Sequence, residues 1–141
     1  MRGTFTPRLD EKHRLTLPAK YRDELTAEVS VVCAQERCLA IYAKPVLDAI
    51  MEPYNGAPQT RREVREYQRW MLARAEDAVP DRQGRVTLNG SQLHWAGLEK
   101  EVVVIGAGNR LEVWDPERWN EYAARLDDQF EDFDGDILTR P

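Results

Sequence analysis

This chain has few cysteines and histidines, no apolar run and no surplus of positive charge. Only two cysteines, Cys33 and Cys38, and two histidines, His13 and His94, occur in 141 residues. Two thiols cannot build a disulfide framework, and a reduced pair is the expectation. A zinc site wants about four ligands, and Cys33 and Cys38 have no third partner in the pattern. His13 and His94 stand apart, with no H-E-x-x-H context. No metal or cofactor is expected. No apolar stretch approaches the roughly 18 residues that span a bilayer, and the N-terminus has no apolar core of a signal peptide. No membrane partner is expected, and the cytoplasm is the expected location. No nucleophile lies in a pattern with a base, so no catalytic residue is assigned. Gly106-Ala107-Gly108 begins a dinucleotide fingerprint but lacks its third glycine and precedes a strand, so it marks a hairpin turn.

The net charge is −5, the wrong sign for a nucleic-acid binder, but the sum hides an asymmetry. Asp127, Asp128, Glu131, Asp132, Asp134 and Asp136 crowd the C-terminus against the single base Arg140. At the other end, Arg2, Arg8, Lys12, Arg14, Lys20 and Arg22 outnumber Asp10 and Glu11. Local charge speaks about partners, and global charge about solubility.

What the chain does have is a repeat. Asp10-Glu11-Lys12-His13-Arg14-Leu15-Thr16-Leu17 returns 71 positions later as Asp81-Arg82-Gln83-Gly84-Arg85-Val86-Thr87-Leu88. Asp, Arg, Thr and Leu recur in place, with Val86 for Leu15. The register continues from Val31-Val32-Cys33 to Val102-Val103-Val104. After a one-residue slip, Leu39-Ala40-Ile41-Tyr42 falls on Leu111-Glu112-Val113-Trp114. Such a repeat is one supersecondary unit used twice. A unit of about 45 residues is marginal for a core of its own, so the two are expected to pack on each other.

Alternation and punctuation predict the elements. Thr4–Leu9 and Arg14–Leu17 read as strands around a turn at Asp10–His13. Pro18 opens a helix to Leu25, since its fixed φ suits a first helical position. Val29–Ala34 and Leu39–Tyr42 form a hairpin about Gln35-Glu36-Arg37. Pro45 starts a helix through Met51, and Pro53, Asn55, Gly56 and Pro58 mark a linker. Thr60 and Glu63 match a capping box before a helix with Val64, Tyr67, Met71 and Ala75 on one stripe. Strands then follow near Asp77–Val79 and Arg85–Leu88, a helix near Ser91–Trp95, and strands Val102–Ile105 and Leu111–Trp114. Pro116 opens a last helix with Trp119, Tyr122, Ala123 and Leu126 on one face. The acidic tail is expected to be disordered. Trp70, Trp95, Trp114 and Trp119 are read as core and subunit contacts. The implied units are a first repeat at 5–47, a linker and connecting helix at 48–75, a second repeat at 76–119, and a helix end with the tail at 120–141.

The shared polar signature is Asp-x-x-x-Arg. Arginine presents a planar fork that pairs with guanine O6 and N7 or with a phosphate. An aspartate four residues earlier, across a turn, can hold that fork. The same spacing also suits a plain turn-clamping ion pair. Lys12 and Arg82 are candidate phosphate contacts, which supply affinity and register, with Arg2 and Arg8 flanking the first motif. Lys20 and Arg22 are read as a solvated helix face. Because Gln83 replaces Lys12 in the second motif, the first repeat is expected to contribute more.

Two longer blocks carry a resemblance. Arg2-Gly3 through Leu9-Asp10-x-Lys12-x-Arg14-Leu15-x-Leu17-Pro18-Ala19-Lys20-Tyr21-Arg22 resembles the N-terminal block of MraZ proteins. Asp81-x-x-Gly84-Arg85-Val86 through Gly97-Leu98 to Glu112-x-Trp114-Asp115-Pro116-x-x-Trp119 resembles the second block of the same family. The resemblance implies an α+β fold of two tandem β-α-β half-barrels of SpoVT/AbrB type. These would pair into a pseudo-twofold, swapped-hairpin, double-psi-like barrel with flanking helices. It implies a transcriptional regulator that binds double-stranded DNA at repeated short boxes upstream of a division and cell-wall gene cluster. It further implies repression that includes its own promoter, a nucleoid location, and a homo-oligomeric ring. The family's DNA-binding motif falls on Asp10 to Arg14 and Asp81 to Arg85, with Asp10 and Asp81 in support of the arginines. His13 departs from the family's glycine, a replacement tolerable where φ is positive because His visits that region more often than most residues. Asn89-Gly90 stands where Leu-Pro is common, which delays the expected start of the second short helix. An antitoxin-like protein-interaction module of the same fold is the alternative.

Overall fold

The computed structural model describes residues 1–141. In chain order the elements are β1 (Thr4–Phe5), β2 (Arg14–Thr16), β3 (Val29–Ala34), β4 (Cys38–Ala43), α1 (Lys44–Asn55) and α2 (Arg62–Leu72). The second half adds β5 (Glu76–Ala78), β6 (Arg85–Thr87), α3 (Gly90–Ala96), β7 (Val103–Gly106), β8 (Leu111–Trp114) and α4 (Pro116–Phe130). The fold is mixed α+β, with antiparallel sheets.

A six-stranded sheet runs β1-β7-β8-β4-β3-β5, and β2 pairs with β6 in a separate two-stranded ribbon. Each repeat lends its first strand to the other's hairpin: β1 joins β7, and β5 joins β3. The register reveals the internal symmetry. Leu15 pairs with its own repeat equivalent Val86, and Ala40 with its equivalent Glu112. Self-pairing of equivalent positions is what a local twofold axis through those two pairs requires.

Period-two alternation sorts the side chains. Leu15, Leu17, Val86 and Leu88 of the ribbon side pack against Val29, Val31, Cys33, Leu39, Ile41, Val104, Leu111 and Val113 in one cluster of 18 buried residues. The other face of the large sheet is covered twice. Leu47, Met51 and Met71 from α1 and α2 cover Val32 and Ala40. Trp119 and Tyr122 from α4 pack near Cys38, Val103 and Trp114, with Tyr122 stacked on Trp114 at 5.1 Å between ring centroids. Cys33 therefore lies on the inner face and Cys38 on the outer one, both free and buried. Burial pushes both thiols above their ordinary titration range.

Several elements differ from the sequence expectation. The first strand stops at Phe5, because Pro7 cannot donate to a ladder. Pairing resumes only as a single bridge between Arg8 and Glu101. The expected helix from Pro18 to Leu25 is a single 3-10 turn at Ala19–Tyr21. Tyr21 and Leu25 both anchor in the core, and so short a segment gains little from helical propagation. In contrast, α1 runs past Met51 to Asn55 with Pro53 inside it. Tyr54 packs on Tyr67 of α2 at 4.6 Å between centroids, which holds that last turn in place. The linker shortens accordingly.

The Thr60–Glu63 capping box does not form. Arg61 takes the N-cap position of α2 without a side-chain bond. A full capping box appears instead at Asn89 and Gln92, so α3 starts at Gly90, one residue earlier than expected rather than later. Helix α4 continues to Phe130, which makes Asp127 and Asp128 helical rather than part of a disordered tail. The remaining tail has an Arg140–Asp134 ion pair and a contact between Phe130 and Phe133. No helix is long and apolar enough to cross a membrane.

Candidate nucleic-acid interface

Both Asp-x-x-x-Arg motifs fold into the same turn. In the first, Asp10 Oδ1 accepts from the backbone N–H groups of Lys12 and Arg14, each at 2.9 Å, and Oδ2 accepts from Arg14 Nε at 2.6 Å. In the second, Asp81 Oδ1 accepts from Gln83 and Arg85 N–H, each at 2.9 Å, and Oδ2 accepts from Arg85 Nε at 2.7 Å. The aspartates also donate their own N–H to the arginine carbonyls, at 3.2 and 3.1 Å. The turn closes only with a left-handed residue before the arginine. His13 takes it at φ 57° and Gly84 at φ 74°, so histidine does adopt the strained geometry of its glycine counterpart.

These bonds tune the carboxylates. The Arg14 N–H is the largest influence holding Asp10 down to about 2 from an ordinary 3.8, with the Arg14 side chain and the Lys12 N–H adding to it against partial desolvation. Asp81 is lowered for the same leading reason, the Arg85 N–H. Each aspartate engages Nε of its arginine, and the ends of the guanidinium groups stay half-exposed. Their only ion pair is a long one between Arg85 Nη1 and Asp10 Oδ2 at 3.9 Å, so Asp10 touches both arginines.

Strand alternation directs the two forks to one side. Leu15 and Val86 point inward, leaving Arg14, Thr16, Arg85 and Thr87 on the outer face of the β2–β6 ribbon. A groove of about 490 Å³ alongside is lined by Arg14, Arg85, Thr87 and Asn89, with Asp77 and Asp81 among the acids. Lys12 and Arg82 sit exposed on the two turns.

The remaining expected contacts lie elsewhere. Arg2 is tied down by its backbone: its N–H donates to Tyr21 Oη at 2.7 Å, and the Tyr21 hydroxyl donates back to the Arg2 carbonyl. It lies against Gly106, where any Cβ would collide with Arg2 N. Arg8 opens onto a cleft of about 710 Å³ lined by Asp10, Glu11, Glu99, Glu101, Asp115 and Glu117, a markedly acidic setting. Arg22 was read as a solvated helix face, yet its Nε donates to Leu17 O at 3.3 Å and its guanidinium stands over Gly84 of the second motif. A base from the first repeat thus joins the second turn, which has Gln83 where the first turn has Lys12. Gln92 was also missed. Fully buried, it donates to Val31 O and Arg74 O, both at 3.0 Å, and accepts from Asn89 N at 3.2 Å.

The duplicated clamp and its placement on a repeated scaffold agree with the comparisons. The family model described as "MraZ protein, putative antitoxin-like" matches twice, over residues 1–69 and 71–140. A Transcriptional regulator MraZ of Micrococcus luteus is 46% identical over 136 residues, spanning 96% of this chain and 95% of its own length. One of Salinispora tropica is 45% identical over 136 residues, with 96% of each chain covered. One of Thermobifida fusca is 44% identical over 136 residues, covering 96% of this chain and 95% of its own. Two matches in tandem, one for each clamp, and relatives this similar over nearly the full length establish that the chain belongs to the MraZ family.

Proposed function

We propose that this protein is a sequence-specific DNA-binding transcriptional regulator, and that the β2–β6 ribbon is its reading head. The observation that carries the proposal is the pair of matched clamps on one solvent-facing ribbon. A major groove admits a two-stranded β-ribbon, and arginine forks are the commonest readers of guanine O6 and N7 there. A fork fixed through Nε arrives oriented, so little side-chain freedom is lost on binding. Arg14 and Arg85 are the base-reading residues in this account, and Asp10 and Asp81 orient them. Lys12 and Arg82 hold phosphates beside the ribbon, whereas Arg2 and Arg8 lie apart from it and are assigned no contact. The name borne by the relatives, transcriptional regulator, supports the same reading. An enzyme using Asp10 and Asp81 as metal ligands is disfavoured, because their oxygens are already engaged by their own turns.

The finer proposal follows the family. The repeats at 5–47 and 76–119, joined by 48–75 and followed by 120–141, form a swapped-hairpin, double-psi-like barrel. The exchange of β1 and β5 supports that topology. Several copies assemble into a ring on repeated short boxes upstream of a division and cell-wall gene cluster. There the protein represses transcription, its own promoter included, as a nucleoid-associated protein.

One observation favours a second reading as a protein-interaction or antitoxin-like module. Phe130, Phe133, Ile137 and Leu138 are exposed along the acidic C-terminus. Selection of bound fragments from random double-stranded DNA, read by sequencing, separates the two. Recovery of a repeated short box supports regulation. A pool with no enriched sequence overturns it and leaves the interaction module.

A further inference from the structure

The two clamps are alike, but the ground beside them is not. In the second turn a recess of about 140 Å³ is lined by Leu17, Arg22, Leu25, Asp81, Arg82 and Gly84, among others. Arg22 reaches it from the first repeat. A Cβ built on Gly84 would lie 2.7 Å from Arg22 Nε, 3.1 Å from its Cδ and 3.2 Å from its Cζ. The Nε end of the Arg22 side chain therefore lies against the bare α-carbon of the turn. Its Nε donates to Leu17 O, while no ion pair engages its terminal nitrogens. Arg82 enters the same recess from the turn itself. The charge of Asp81 is offset by its ion pair with Arg85, and its oxygens accept from Gln83 N–H and from the N–H and Nε of Arg85. The first turn has none of these features. His13 stands at the place of Gly84, Glu11 at the place of Arg82, and Leu93 at the place of Arg22.

We propose that this recess is a phosphate subsite for the DNA backbone, in which Arg22 of the first repeat and Arg82 of the second together hold one phosphate. The proposal rests on the DNA-binding reading above and deepens it. Two guanidinium groups sharing an anion give charge-assisted bonds and fix register without reading bases. Gly84 then has two functions. It permits the positive φ, and it leaves room for the Arg22 side chain, which a Cβ there would push aside. The asymmetry also has a consequence for orientation. One turn carries Lys12 alone, the other a paired-arginine site, so the ribbon is not equivalent under its own twofold axis. The pseudo-symmetric ribbon is thereby given a preferred direction on an asymmetric box.

The test uses the full-length protein, a duplex recovered from the random-DNA selection, and a scrambled duplex of the same length. Affinity is measured against salt concentration. Arg22→Ala should weaken both duplexes by the same factor and reduce the salt slope by about one per engaged chain, leaving the preference between duplexes intact. Arg22→Lys should restore the slope, although it cannot reproduce the bond to Leu17 O. An unchanged slope in Arg22→Ala overturns the subsite. So does equal loss in the Ala and Lys variants, which would make the residue a structural tie. Arg14→Ala run in parallel isolates the underlying reading: if it keeps wild-type affinity and preference, the DNA-binding assignment itself fails, whatever Arg22 does.

Discussion

Replacing Gln92 by leucine should destabilise the protein severely, although it removes no charge and changes volume little. Gln92 is fully buried and ties the second repeat to the first through Val31 O, and to the end of the connecting helix through Arg74 O. Its Oε1 also accepts the N–H of Asn89 at the start of α3. Leucine loses all three bonds while keeping the Asn89 cap on the backbone of residue 92. The Val31 carbonyl belongs to a fully buried residue of the central sheet, so losing the amide bond to it costs about 1–3 kcal/mol. The other two groups lie nearer the surface, where water can substitute, at about 0.5–1 kcal/mol each. Together the loss is about 2–5 kcal/mol, a large share of the 5–15 kcal/mol typical of a domain. Urea unfolding followed by circular dichroism, at matched protein concentration, measures it directly. A Gln92→Leu protein within about 0.5 kcal/mol of wild type would refute the view that this amide holds the repeats together.

Four further outcomes are expected. Asp10→Asn should raise affinity for scrambled DNA by removing a carboxylate from the reading face, yet lower the ratio of specific to non-specific binding by roughly tenfold or more, because Arg14 loses its acceptor. The matching Asp81→Asn should do less, since Asp10 touches both arginines and Asp81 only one; anisotropy titrations on both duplexes would expose equal effects. The pH dependence follows from lowered carboxylates: the stability Asp10 contributes is intact above its ordinary 3.8 and is lost as pH falls from there through about 2, so the stability gap between wild type and Asp10→Asn should hold down to the ordinary Asp range and close below it. A fragment of residues 1–52 should show no cooperative thermal transition as a monomer, because β1 and β2 find their partners in β7 and β6.

The periodic elements were legible because their signals are local. Alternation found β3, β4, β7 and β8, and the repeat at a fixed offset implied that the halves pack together. The turn at Asp10–Arg14 was legible from its duplication, whereas the positive φ that His13 shares with Gly84 was suggested only by the glycine of the resembling family. What stayed hidden depends on long-range packing. Tyr54 against Tyr67 keeps a helix going through Pro53, against the local breaker signal. Thr60 and Glu63 match a cap that α2 does not use, whereas Asn89 and Gln92 form one where the pattern suggested a delayed start. Arg22 was the most consequential miss. Nothing in its neighbours says that it crosses to the second repeat. The one trace in the sequence is that Gly84, alone of the two turn positions, has no side chain to stand in its way.

The central claim is that Arg14 and Arg85 read DNA bases from one ribbon, and affinity measurements on the selected duplex test it most directly. Each arginine-to-alanine replacement should leave the circular dichroism spectrum and oligomeric mass unchanged. Each should cost about 1–3 kcal/mol per engaged chain and erase the preference for the selected box over a scrambled one. Where several chains bind one DNA, the loss multiplies through their linked engagement. Because Arg22 and Arg82 attend the second turn, Arg85→Ala should lose as much discrimination as Arg14→Ala. A folded Arg14→Ala, Arg85→Ala double variant that still prefers the selected box as strongly as wild type would contradict the account.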